Sequence, residues 1–144
     1  GTEPFGAFYY SQGLLSTHDT CNFLYGRVEI RARYPGGKGM WPCIWLMPEH
    51  QGWPPEIDIA EYHATSRSMH YGLCAGTMHE PIWYSSRPHY DEELECDFHT
   101  FALDWRPGCL TWLLDGVVVK ELHDAQIPTT PMYLILSNSV SSVC

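Results

Sequence analysis

The feature that most constrains this sequence is a succession of short runs in which apolar and polar residues alternate, each closed by glycine or proline. In "LYGRVEIRARY" (24–34), Val28, Ile30 and Ala32 fall on one side of an extended chain and Arg27, Glu29, Arg31 and Arg33 on the other. A period of two over that length predicts a strand with one buried and one polar face. "PGGKG" (35–39) is a turn by composition, and "MWPCIWLM" (40–47) follows it, bounded by Gly39 and Pro48. Further strands are expected at 72–79, 98–105, 109–115, 117–122 and 132–136. Asp115-Gly116 lies between two apolar runs and supplies the positive φ angles of a tight hairpin, and "RPG" (106–108) is a second tight connection. The segment 80–97, with Trp83 and Tyr84, reads as the longest loop, and long loops in compact β domains often edge a binding site. No stretch sustains a 3.6-residue period, and "DEELECD" (91–97) allows one helical turn at most. Many short strands with almost no helix predict an all-β, antiparallel sandwich or barrel. The 144 residues fit a single domain, 1–144, without a repeat or linker to divide it.

Charge and composition narrow the partners. Seventeen acidic against eight basic residues give a net charge of −9, which repels phosphate backbones and anionic lipid surfaces and argues against nucleic acid and membrane. No segment approaches the roughly 18 consecutive apolar residues of a membrane-spanning helix. An acidic chain with six Trp and nine Tyr suits neutral ligands with flat apolar faces, of which sugars are the commonest. The cysteines, Cys21, Cys43, Cys74, Cys96, Cys109 and Cys144, are widely spaced and form no CxxC pair, so no metal site is read from them. Disulfides and buried free thiols both stay open. The sequence starts at Gly1, shows no signal peptide, and stops within "MYLILSNSVSSVC", so a fragment or excised domain is expected.

The stretch "WPPEIDIAEY" (53–62) sets three carboxylates, Glu56, Asp58 and Glu61, among apolar residues that otherwise read as a buried strand. On a regular strand Glu56 and Asp58 share a face, whereas Glu61 would point with Ile57 and Ile59 into the core, at a cost of several kcal/mol for an unpaired charge. A β-bulge near Ile59-Ala60 returns Glu61 to the face of the other two. Three like charges in a row do nothing for fold stability. They point either to cation binding or to acid and nucleophile chemistry on a glycosidic bond, and a stiff β-branched strand fits the second better.

Taken together, the sequence resembles glycoside hydrolase family 16, in the branch whose signature is ExDxxE rather than ExDxE. "EIDIAE" matches that signature, and "YGRVEIRARYPGGKGMWPCIWLMPE", "GWPPEIDIAEY", "GTMH", "FHTFALDWRPGCLTWLLDG" and "PMYLIL" follow the family order from about Tyr9 to Leu136. The resemblance is strongest to laminarinase-like enzymes. It implies a β-jelly roll with a substrate cleft across the concave sheet, and retaining hydrolysis of internal β-1,3 or mixed β-1,3/1,4 glucosidic bonds. It also implies a secreted, monomeric protein acting on a neutral polysaccharide, β-glucan, with no cofactor and no metal in the reaction. A structural calcium, where the family has one, uses terminal segments not matched here.

Carried over by position, Glu56 is the nucleophile, Glu61 the general acid/base and Asp58 the carboxylate between them. Glu56 in its ionised form is expected to raise the pKa of Glu61 and keep it protonated. Glu29 and Arg31 align with residues that hydrogen-bond sugar hydroxyls, the alternative being a cross-strand salt bridge. Trp41, Trp45 and Trp53 align with platforms for pyranose faces, the alternative being core packing. His79 aligns with a histidine near the catalytic pair, and Trp105 and Trp112 are assigned to the core. Two departures stand out: Ser137 occupies a position where the family usually has Asn, and the chain is short for a sandwich enzyme of roughly 200 to 250 residues. A non-catalytic β-glucan-binding module on the same sandwich, agar-type galactan as substrate, and transglycosylation are the competing readings. The three retained acids count against the first.

Overall fold

The computed structural model describes residues 10–50, 52–90 and 94–140; Tyr9, Cys144 and part of the acidic 91–97 turn lie outside them. The described residues form strands and turns and no helix. In chain order the strands are β1 (Gly13–Ser16), β2 (Asn22–Phe23), β3 (Gly26–Ala32), β4 (Met40–Pro48), β5 (Glu56–His63), β6 (Ser68–Gly76), β7 (Pro81–Ser86), β8 (His99–Arg106), β9 (Cys109–Leu114), β10 (Val117–His123) and β11 (Met132–Val140). They make two antiparallel sheets: a larger one in the order β1-β11-β4-β5-β6-β7, with β2 also on β11, and a smaller one in the order β10-β9-β8-β3.

Local chemistry accounts for the connections. Asp115 and Gly116 have φ of 50° and 80°, the left-handed pair that a two-residue hairpin needs between β9 and β10. The Asp115 carboxylate also accepts hydrogen bonds from Thr100 N and His99 Nδ1, each at 2.7 Å, fastening the turn to β8. Strand β6 ends at Gly76, where φ is +84° and a Cβ would run into the Glu80 carbonyl oxygen. This strand starts four residues before the expected 72, because both of its faces are buried from Met69 to Ala75 and no alternation marks its beginning. The expected loop from 80 contains a strand, β7, which pairs with β6 from Tyr71↔Ser86 to Gly76↔Pro81.

The sheets enclose one apolar core. Ile44, Leu46, Ile57, Tyr62 and Leu73 of the larger sheet meet Phe101, Leu103, Trp105, Leu110 and Trp112 of the smaller. Each large side chain so buried contributes roughly 1.5–3 kcal/mol. The unequal sheets leave an apolar trough of about 450 Å³ between the β1–β11 edge and β3, lined by Leu14, Leu15, Ile30, Ala32 and Leu136 among others. Cys21, Cys43, Cys74 and Cys109 are free thiols.

Candidate active site

The acid strand bends where its sequence required it to. Against β4, Trp45 faces Asp58 and Ile44 faces Ala60, with Ile59 passed over. Against β6, Asp58 faces Gly72 and Glu61 faces His70. The extra residue turns Glu61 onto the side of Glu56 and Asp58 while Ile57, Ile59 and Ala60 remain fully buried. Two donors from the core reach the bulge: Tyr34 Oη gives a hydrogen bond to the Ala60 carbonyl at 2.9 Å, and Trp112 Nε1 to the Asp58 carbonyl at 2.8 Å. Trp112, expected as core, is therefore also a backbone clamp.

Around the acids, side chains from β4, β5, β6, β11 and the end of β7 line a groove of about 340 Å³. The trough is larger, but no carboxylate, imidazole, amine or guanidinium lines it, so the groove is the chemical site. Glu61 is held by three donors on its own face. His70 Nδ1 lies 2.7 Å from its Oε2, Trp41 Nε1 2.8 Å from its Oε1, and His63 Nε2 3.1 Å from the same oxygen. Burial alone would raise the Glu61 pKa, but the His70 hydrogen bond and charge, with His63 and Trp41, bring it below the ordinary value.

The other two acids behave oppositely. Burial first, then the charges of Glu56 and Glu61, drives Asp58 well above the usual carboxylate range. Glu56 is also raised by burial, although the hydrogen bond from Asp58 works against this. Both carboxyls are thus pushed toward the neutral form, Asp58 further than Glu56. The direction at Glu61 is opposite to the sequence-based expectation, which had its pKa raised. The hydrogen-bond donors gathered on Glu61 are the reason.

The structure brings Trp41, Trp45 and Trp53 to the acids, and Trp41, which lines the groove, also grips Glu61. The Trp41 indole N–H is bound to Glu61, and its ring stacks on His63 at 5.3 Å, so one of its faces is already covered. Trp45 lines the groove and donates to Ser137 Oγ at 3.1 Å. Trp53 hydrogen-bonds Glu56 and lies 6.2 Å from Trp83, a half-exposed ring that also lines the groove.

Glu29, Arg31 and His79 do not reach the groove. Glu29 and Arg31 are on the exposed face of β3, in the opposite sheet. There Glu29 accepts from Arg27 at 2.8 Å, with Asp104 completing the ion pair, and Arg31 lies over the Phe98 ring at 4.6 Å. Glu29 is in a salt bridge, but with Arg27 of its own strand; the pair that crosses strands is Arg27 with Asp104. His79 lies in an exposed turn closed by hydrogen bonds between Thr77 and Glu80. The histidines beside the acids are His63, two residues past Glu61 on β5, and the more buried His70, which the late start assigned to β6 had left out of the strand. The His70 ring fits because residue 72 is glycine: a Cβ there would lie 2.8 Å from His70 Nε2 and 3.0 Å from Asp58 Oδ2.

Among the described residues, two groups of side chains converge closely enough to grip a cation. His18, Asp19 and Glu49 do so at the surface, and Asp58, Glu61 and His70 in the groove. The second is accounted for as a proton-holding network, since His70 Nδ1 and Glu61 already share a short hydrogen bond.

Comparison with known proteins follows the same line. The profile of the family described as "Glycosyl hydrolases family 16" matches residues 7–141. A glucan endo-1,3-beta-glucosidase of Cryptopygus antarcticus is 39% identical over 107 residues, covering 67% of this chain and 39% of that protein. A beta-glucanase of Rhodothermus marinus is 34% identical over 128 residues, covering 78% of this chain and 43% of its own length. The catalytic domain of an endo-1,3-beta-glucanase (laminarinase) from Thermotoga petrophila superposes with a TM-score of 0.80 at 26% identity, over 98% of this chain and 63% of that one. The chain therefore spans about two fifths of the length of these two curated relatives.

Proposed function

This chain belongs to glycosyl hydrolase family 16, and from that premise we propose that it cleaves internal β-1,3 or mixed β-1,3/1,4 bonds of a neutral β-glucan with retention at the anomeric carbon. The observation that carries the reading is the bulge, which sets Glu56, Asp58 and Glu61 on one side of a groove edged by Trp45, Trp53 and Trp83. The two relatives described above are named for glucan, while a further relative at 29% identity is named for keratan sulfate, so the glucan reading follows the more similar pair.

In the proposed cycle Glu56, in its ionised form while Asp58, the further shifted of the two, keeps its proton, attacks the anomeric carbon as the glycosidic C–O bond breaks. Glu61 gives a proton to the departing oxygen. In the free groove its donors favour the carboxylate. A bound sugar excludes water and disfavours that charge, and the imidazolium form of His70 can then pass its Nδ1 proton to Glu61 Oε2, leaving neutral imidazole behind. Forming the glycosyl ester removes the charge of Glu56, which lets Glu61 return as base toward water. Side chains and water suffice for each step.

Reducing-sugar release from laminarin and from barley β-glucan tests the proposal. The parent chain is expected to hydrolyse one or both, and Glu56→Gln and Glu61→Gln to lose that activity. Binding without turnover in the parent would favour the glucan-binding module. NMR of the first product should show the β-anomer; an α-anomer would contradict the role given to Glu56.

A further inference from the structure

Lys120 belongs to β10 of the smaller sheet, yet its side chain crosses the sandwich. The register of β10 on β9 slips between Val118 and Lys120, so that Val118 faces Leu113 and Lys120 faces Trp112. This second bulge turns Lys120 inward. There Nζ donates to the Tyr71 carbonyl at 2.9 Å and to the Tyr84 carbonyl at 2.7 Å, on β6 and β7, and lies 4.7 Å from the centre of the Trp112 ring. The same indole donates to the carbonyl of Asp58. An ammonium in a sandwich interior is costly, and hydrophobic residues would fill the place more cheaply. Its position beneath the acid strand supplies a reason for it.

We propose that Lys120 is a positioning residue for the proposed glucanase reaction, an ammonium held behind the catalytic strand that fixes β6 and β7 against it, braces the indole gripping Asp58, and supplies the positive charge that offsets the three carboxylates. The inference rests on the reading of the groove as a glucanase site. Asp58 is faced by Glu56 and Glu61 on its own strand, by His70 and Cys74 on β6 and by Cys43 on β4, with Lys120 on the core side. Burial pushes the thiols up, Cys74 to about 11 and Cys43 further, so neither adds charge near neutrality. Lys120 itself is faced by the Tyr71 and Tyr84 carbonyls, by Trp112 and by Asp58. Burial lowers its pKa to about 8, so the ammonium persists through the acidic and neutral range in which a carboxylate pair works.

The test compares the parent with Lys120→Met, Lys120→Gln and Lys120→Arg by two readouts. One is the pH profile of kcat/KM on laminarin; the other is the titration of the Asp58 and Glu56 carboxyl carbons by NMR, which needs no activity. Lys120→Met and Lys120→Gln are expected to move the acid limb, and the carboxyl titration with it, upward by about half a pH unit or more. Lys120→Arg, which keeps the charge, is expected to stay near the parent. Carboxyl titrations in folded neutral variants that superimpose on the parent would overturn the proposal, even if their melting temperatures fall. Failure of both neutral variants to fold would assign Lys120 to the fold alone and overturn it equally. A parent that cleaves no glucan defeats the glucanase reading instead, and the carboxyl titration still decides what Lys120 does to the acids.

Discussion

At the level of single residues, the groove separates three chemically similar acids by the partners each is given. Asp58 is 5% exposed beside two other acids, and Glu61 is met by three donors. Sequence spacing identified all three carboxylates but expected a raised pKa at Glu61 where its surroundings lower it, because the register of β4, β5 and β6 is what brings Trp41, His63 and His70 together on that carboxylate. His70→Asn should release Glu61 from its shortest hydrogen bond, raise its pKa and carry the alkaline limb of kcat/KM upward, with kcat lower by about tenfold or more. A variant whose limb stays at the parent value would remove His70 from the proton path.

At the level of elements, the bulge in β5 is a backbone feature maintained by side chains. Tyr34 is 5% exposed and its hydroxyl meets the Ala60 carbonyl. Tyr34→Phe should therefore lower the unfolding free energy by about 1–2 kcal/mol in urea titrations, because a buried carbonyl loses its donor. Strands flanked by glycine or proline and alternating in polarity, such as β3, β9 and β10, were legible from sequence. Strand β7 was not, being mostly exposed from Pro81 to Ser86 and so without an apolar face to reveal its period. Parity placed Glu29 and Arg31 on a polar face correctly, but parity names a face and not a sheet, and that face belongs to the sheet opposite the acids. His70 was missed for a related reason: a strand buried on both sides gives no alternation to fix its first residue.

At the level of the whole molecule, the groove is maintained against stability. The folded-state pKa of Asp58 lies well above its unfolded value, so the native protein binds more protons than the unfolded chain between those two values, and stability falls as pH rises through that window. Asp58→Asn keeps the shape without the charge. It should melt higher than the parent at pH 7, differ little at pH 3, and lose turnover; an equal melting point at pH 7 would contradict the burial cost. The trough and the groove lie on opposite sides of one larger sheet, and Cys43 and Ser137 border both. Only a peptide's thickness divides the oily trough from the acid-lined groove along β4 and β11. A survey of substitutions scored by turnover would therefore register sensitive positions, Leu136 beside Ser137 first among them, on the face of the sheet turned away from the acids.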